Sequence, residues 1–170
     1  MAKNKIGFHE STSELMRAFE EDRVLLVGQG KEGPPNPMAI GWGQIGILWR
    51  RPVFTALVRP SRYTYRLIEE TGDFTVNIVP GALKDTVQFC GTVSGRDRKK
   101  LEEKKLTPLP SSSVNTPILK EGILHYECKV IYKTDLIPGE LDKSIKAGLY
   151  PKGDYHRLYF GEILACVKED

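Results

Sequence analysis

Two arginines, a serine and a threonine fall together in Val58-Arg59-Pro60-Ser61-Arg62-Tyr63-Thr64, where an extended apolar run gives way to a helical pattern. Backbone N–H groups at such a junction, and the positive end of the helix dipole, favour an anion; Arg59 and Arg62 would add charge-assisted hydrogen bonds. Ser61 is placed to cap a helix running from Arg62 to Thr71, with Tyr63 and Leu67 four apart and Gly72 as its left-handed stop. The chemistry suggested is phosphate binding, although the same residues would also make an ordinary capped helix with solvated arginines. The surroundings share the bias. From Gly33 to Ile68 there is no Asp or Glu, while Arg50, Arg51, Arg59, Arg62 and Arg66 all fall inside. That pattern suits a small anion or a solvated basic face.

Other candidate chemistries are weaker. Gly28-Gln29-Gly30-Lys31-Glu32-Gly33 has the Gly-x-Gly-x-x-Gly form, but Pro34-Pro35-Asn36-Pro37 follows where a pyrophosphate-binding helix should begin. No acidic residue follows about twenty positions on to grip a ribose, so a glycine-rich hairpin turn is expected. Cys90, Cys128 and Cys166 include no Cys-x-x-Cys pair, and His9, His125 and His156 form no ligand cluster with them, so no metal site is expected. His125 and Cys128 lie in an alternating segment and read as structural.

The elements that must position these groups are mostly strands. Arg23–Val27, Met38–Trp42, Val53–Val58 and Asp73–Val79 read as extended, and the long runs Ile123–Tyr132 and His156–Val167 as the long strands of a barrel. Ser11-Thr12-Ser13-Glu14 has the form of a capping box and leads into Leu15, Met16 and Phe19 at helical spacing. Leu83–Phe89 and Asp97–Lys105 look helical, and Pro108–Pro117 is a Pro/Ser-rich loop. Few helices separate strand pairs, so a mostly antiparallel closed sheet is expected rather than βαβ layering.

The 170 residues suit a single domain, 1–170, and 40% hydrophobic with 28% charged residues is a globular balance. A net charge of +3 is too small to imply nucleic acid. No apolar signal core develops after Met1-Ala2-Lys3-Asn4-Lys5, and the uncharged run Gly33–Trp49 is broken by prolines and glycines, so neither export nor a membrane span is expected. Three widely spaced cysteines fit a reducing, cytoplasmic compartment.

Five short segments, taken in order, resemble the flavin-reductase-like (flavoredoxin-like) family. They are Asn36-Pro37-Met38-Ala39-Ile40-Gly41-Trp42, Arg50-Arg51-Pro52-Val53 with Val58–Thr64, Gly72-Asp73-Phe74-Thr75-Val76-Asn77, Ser94-Gly95-Arg96 with Lys100, and Tyr155–Ile163. The resemblance implies a mostly β fold with short helices, an FMN-binding split β-barrel that is largely antiparallel and Greek-key-like, usually a homodimer. It implies that Asn36, Met38, Ala39, Ile40, Gly41 and Trp42 run beside the isoalloxazine, and that Arg59, Ser61, Arg62 and Thr64 surround the phosphate. Ser94, Arg96 and Lys100 would help enclose the cofactor, from the same chain or from a partner subunit. His156 would face the flavin and orient a nicotinamide or another acceptor, unless it only pins its loop.

Where the family often has Met-Thr, this chain has Met38-Ala39, so a side-chain hydroxyl contact to the ring is absent. The implied function is an oxidoreductase taking hydride from NADH or NADPH and passing electrons to free flavin, a ferric chelate or a small acceptor. A flavoredoxin-type electron carrier is the alternative. Pyridoxamine-phosphate-oxidase-like chemistry is opposed by the Ser-Gly-Arg and closing His elements, and a single-stranded nucleic-acid barrel by the lack of regularly spaced aromatics.

Overall fold

The computed structural model describes residues 3–169; Met1 and Ala2, where the N-terminal segment was read for a signal, lie outside them. In chain order the first half comprises β1 (Lys3–Lys5), α1 (Thr12–Glu20), β2 (Val24–Gly28), β3 (Asn36–Ala39), β4 (Gly43–Leu48), β5 (Arg51–Val58), α2 (Tyr63–Thr71) and β6 (Asp73–Ile78). The second comprises α3 (Lys84–Thr92), α4 (Lys100–Lys104), β7 (Pro108–Leu109), β8 (Ile118–Leu119), β9 (Leu124–Asp135), α5 (Lys143–Leu149) and β10 (Arg157–Glu169).

The main sheet is antiparallel, in the order β3-β2-β6-β9-β10-β5-β4, with β1 added on β10. The hydrogen-bonded path is open, with β3 and β4 at its ends, so the sheet splits instead of closing as the strand pattern suggested. Strand β10 divides its edges among three partners. It pairs with β9 along nearly its whole length, while its other edge serves β5 from Arg157 to Glu162 and β1 from Val167 to Glu169. Register shifts at Phe160/Gly161 and Ile163/Ala165 bend the strand between those partners.

The uninterrupted apolar run of β2 reflects burial on both faces. Val24 and Leu26 join the central core with Phe54, Phe74, Tyr126 and Tyr159, whereas Leu25 and Val27 join a second core with Val87, Cys90 and Leu106 under α3 and α4. That second core presses α3 against β3. The Gly-x-Gly-x-x-Gly segment is the connection of the β2–β3 hairpin, Gly28 opposite Asn36, with Gly33 left-handed at φ +84°.

Several sequence expectations need correction. The capping box at Ser11 does not form, because Ser11 Oγ donates to Phe8 O (2.9 Å) and pairs with buried Tyr126 Oη (2.8 Å). The strand expected over Met38–Trp42 is instead Asn36–Ala39, since Ile40 N–H is the last to bond β2, donating to Val24 O. The charged helix expected over Asp97–Lys105 shrinks to Lys100–Lys104, ending where Lys105 turns left-handed. Within Pro108–Pro117, Pro108 and Leu109 pair with β8. Strand β4 and helix α5 were not anticipated. β4 is a glycine-containing edge strand, largely exposed, and its apolar residues show no clean alternation.

Gly161 sits where β10 bends over the core. A Cβ there would lie 2.6 Å from Phe74 Cζ and 2.8 Å from Cys128 Cβ. Gly161→Ala is therefore expected to cost about 1–3 kcal/mol by overpacking, read from urea unfolding. An unchanged midpoint would contradict this account of the bend.

Candidate functional site

Helix α2 begins one residue later than expected. Arg62 is its N-cap, extended at φ −74° and ψ 140°, with no side-chain cap bond. Ser61 does not cap the helix. Its Oγ donates to Asp154 Oδ2 (2.6 Å) and its N–H to Asp154 Oδ1 (3.3 Å), because Asp154, left-handed at φ 56°, brings a charged acceptor within reach of both. Thr64 is buried, and its Oγ1 accepts from Asn36 Nδ2 at 2.7 Å, tying the first turn of α2 to the start of β3.

Above this tie lies a cavity of about 120 Å³, lined by Asn36, Met38 and Ala39 of β3, the Ser61–Thr64 turn, Cys90, Gly91, Val93, Ser94, Gly95, Arg96 and Lys100. Gly95 must be a glycine for the Ser94–Arg96 segment to cross here: a Cβ would collide with Asn36 Oδ1 and lie 2.9 Å from Tyr63 Cδ1. Three cations point into the cavity's walls, each held by main-chain carbonyls. Arg62 donates to Gly91 O (3.1 Å); Arg96 donates to Ser61 O (3.1 Å) and lies over the Tyr63 ring. Lys100, only 4% exposed, donates to Pro37 O (3.0 Å) and Cys90 O (2.8 Å).

No Asp or Glu lines this cavity, and among the described residues none of these three cations forms a salt bridge. Burial, opposed by the neighbouring Cys90 and reinforced by the nearby Arg62 charge, pushes the Lys100 ammonium down to about 8. Carbonyl dipoles orient the cations but leave their charge uncompensated, an electrostatic arrangement suited to an anion.

A second cavity of about 210 Å³ adjoins the first, sharing Met38, Ala39 and Arg62, and adds Ile40, Gly41, Trp42, Leu57, Arg59 and His156. Together the two reach the lower end of the roughly 300–1,000 Å³ range of small-molecule pockets. Arg59 donates to Leu149 O (2.9 Å) and Asp154 O (3.2 Å) and lies over the Tyr150 ring, so it braces the loop between α5 and β10. His156 packs against Trp42, ring centroids 5.2 Å apart, and its Nδ1 pairs with Tyr150 Oη at 2.7 Å. Burial, then the Arg59 charge, pushes the imidazole down to about 4, so it is neutral near pH 7.

The flavin reductase like domain model matches residues 16–170. This chain belongs to the flavin reductase like family. Among relatives of this family member, an uncharacterized protein of Archaeoglobus fulgidus is 31% identical over 87% of this chain and 73% of that one. Among solved structures, flavoredoxin of Desulfovibrio vulgaris (Miyazaki F) superposes with TM-score 0.70 at 25% identity, over 87% of this chain and 69% of that one. Flavoredoxin from Methanosarcina acetivorans gives 0.69 at 26%, over 88% and 69%.

In this flavin reductase like chain the structure brings Asn36, Met38, Ala39, Ser61, Arg62, Thr64, Ser94, Arg96 and Lys100 to the first cavity. Ile40, Gly41, Trp42, Arg59 and His156 line only the second. Sequence reasoning missed Tyr63, Cys90, Gly91, Val93, Gly95 and Leu57 as wall residues and Tyr150 as the partner of His156. No motif marks Tyr150; the cap at Asp142, whose Oδ1 accepts from Ser144 N–H (2.8 Å), would have revealed the helix that delivers it. No group of three or more His, Cys, Asp or Glu suited to a metal gathers among the described residues.

If Lys100 awaits an anion, binding must hold it protonated, so affinity should fall as pH rises through about 8. Sulfate, whose charge is constant there, should raise the melting temperature over a chloride control more at about pH 6.5 than at about pH 9.5. Lys100→Met should erase the difference. An equal shift at both pH values would show that Lys100 does not serve an anion.

Proposed function

We propose that this chain is an FMN-dependent oxidoreductase that takes hydride from NADH or NADPH and passes electrons to free flavin, a ferric chelate or a small acceptor. The observation that carries the reading is the set of uncompensated cations, Arg62, Arg96 and Lys100, in a cavity without carboxylates. That donor set fits a phosphate monoester. When bound, FMN would supply the hydride and electron chemistry, so no acid–base dyad is required of the protein.

The chain's own residues have the tasks of binding and positioning. Arg62, Arg96, Lys100 and Ser94 would hold the phosphate, while Arg59 and Thr64 would act by fixing the loop and β3 around it. The main chain from Asn36 to Trp42 would offer hydrogen bonds to a polar ring edge, and Trp42 with Leu57 would exclude water from one side. His156, neutral and at the cavity wall, would orient the electron donor or acceptor. The similarity to flavoredoxin supports a second reading, an electron carrier with tightly held FMN.

We also propose a homodimer, supported by Ile47, Leu48 and Trp49 standing exposed at the tip of the open β4 edge. Three free, buried cysteines support a reducing, cytoplasmic setting.

Titration with FMN and with riboflavin separates the phosphate from the ring. FMN should bind more tightly, and Arg96→Ala should weaken FMN at least tenfold, as expected for a lost charge-assisted bond of roughly 1.5–3 kcal/mol, while leaving riboflavin nearly unaffected. Equal binding of the two flavins, or none, would overturn the reading. Anaerobic mixing with NADH or NADPH then distinguishes the enzyme, which would be reduced directly, from the carrier, which would not.

A further inference from the structure

We propose that Tyr150 is a positioning residue that fixes His156 in the tautomer carrying its proton on Nε2, making it a neutral N–H donor for an amide carbonyl oxygen of the bound electron donor. This rests on the reading that a nicotinamide, which carries such a carboxamide, reaches the His156 wall over the flavin ring held in the second cavity.

Tyr150 is 4% exposed, and the one hydrogen-bond partner of its Oη among the described residues is His156 Nδ1, at 2.7 Å. A phenol has a single proton to donate. If Nδ1 carried the ring proton and donated, the buried O–H would have no acceptor, a costly arrangement. Donation from Oη to Nδ1 satisfies both atoms and leaves the ring proton on Nε2.

Nε2 has no partner among the described residues, and none of their fully buried side-chain N or O atoms lacks a hydrogen bond. It is therefore accessible, and His156 lines the second cavity beside Trp42. The ring cannot swing freely. It meets Tyr150 edge-on at 84° and packs against Trp42, while the main-chain carbonyl of His156 accepts from Leu136 N–H at 3.1 Å and holds the backbone beneath it.

Tyr150 is itself over-determined. Tyr155 stacks on it with centroids 5.0 Å apart, and the Arg59 guanidinium lies 4.9 Å from its centroid while bonding the carbonyls of Leu149 and Asp154. The charged groups facing His156 are Arg59 at the end of β5, Arg62 before α2 and Asp154 on its own loop. Burial disfavours the imidazolium, and the two arginines add to this against the one carboxylate. A fixed neutral donor suits an uncharged carbonyl acceptor better than it suits proton transfer.

Long-range ¹⁵N NMR of the imidazole reads the tautomer without a ligand. In the unmodified protein, a protonated Nε2 and a bare Nδ1 should persist from about pH 5.5 to 8.5. Tyr150→Phe, which keeps the packing ring, should give mixed tautomers, raise KM for NADH or NADPH about five- to tenfold, and change FMN affinity less than about twofold. His156→Gln, which retains an N–H donor, should preserve more of the reduction rate than His156→Ala. A proton on Nδ1 in the unmodified protein, or an unchanged tautomer and KM in Tyr150→Phe, would overturn the inference. FMN binding without direct reduction by either nicotinamide would refute the ligand assigned to Nε2, while the NMR result would still decide the tautomer and the flavin titration would still stand for the cofactor.

Discussion

Three side-chain cations are held over one cavity by backbone carbonyls instead of carboxylates, and the surrounding architecture is arranged around that electrostatic constraint. A buried ammonium such as Lys100 loses its hydration on folding, and the carbonyls of Pro37 and Cys90 offset only part of that loss. An acidic partner would relieve the strain on charge and would also fill the site. Its absence from the cavity wall leaves that charge without a carboxylate counter-charge there.

The fold supplies those carbonyls from three separate elements. Pro37 belongs to β3, Cys90 and Gly91 to α3, and Ser61 to the turn before α2. Their mutual placement depends on β2 being buried on both faces: one face docks α3 and α4, the other joins the central core. At the opposite wall, β10 and the loop before it carry His156, with Arg59 clamping that loop to the end of β5. Because the sheet is open, its end strand β3 can serve as the floor of a cleft, a position a closed barrel would occupy with another strand.

Much of this was legible in the sequence because strand patterns are local. The apolar run of β2, the alternation in β6 and the long runs of β9 and β10 each announce extended structure, and the Arg59–Thr64 segment announces the strand-to-helix junction that lines both cavities. What was not legible depends on contacts distant in the chain. Ser61 looked like a helix cap until Asp154, 93 residues on, proved to take both of its donors. Arg59 lines the second cavity as the motif suggested, but its hydrogen bonds to Leu149 O and Asp154 O, far along the chain, could not be read from it. Tyr150 matters through its distance from His156, which no spacing rule encodes, and β4 lacked the alternation that marks a half-buried strand.

The central claim concerns where a phosphate would sit, and a crystal structure of the protein grown with FMN tests it most directly. The account predicts the phosphate bonded to Arg62 and Arg96 in the cavity above the Asn36–Thr64 tie, with the ring along Met38 to Trp42. A phosphate bound elsewhere on the molecule, with Arg62, Arg96 and Lys100 unchanged and still facing an empty cavity, would contradict it.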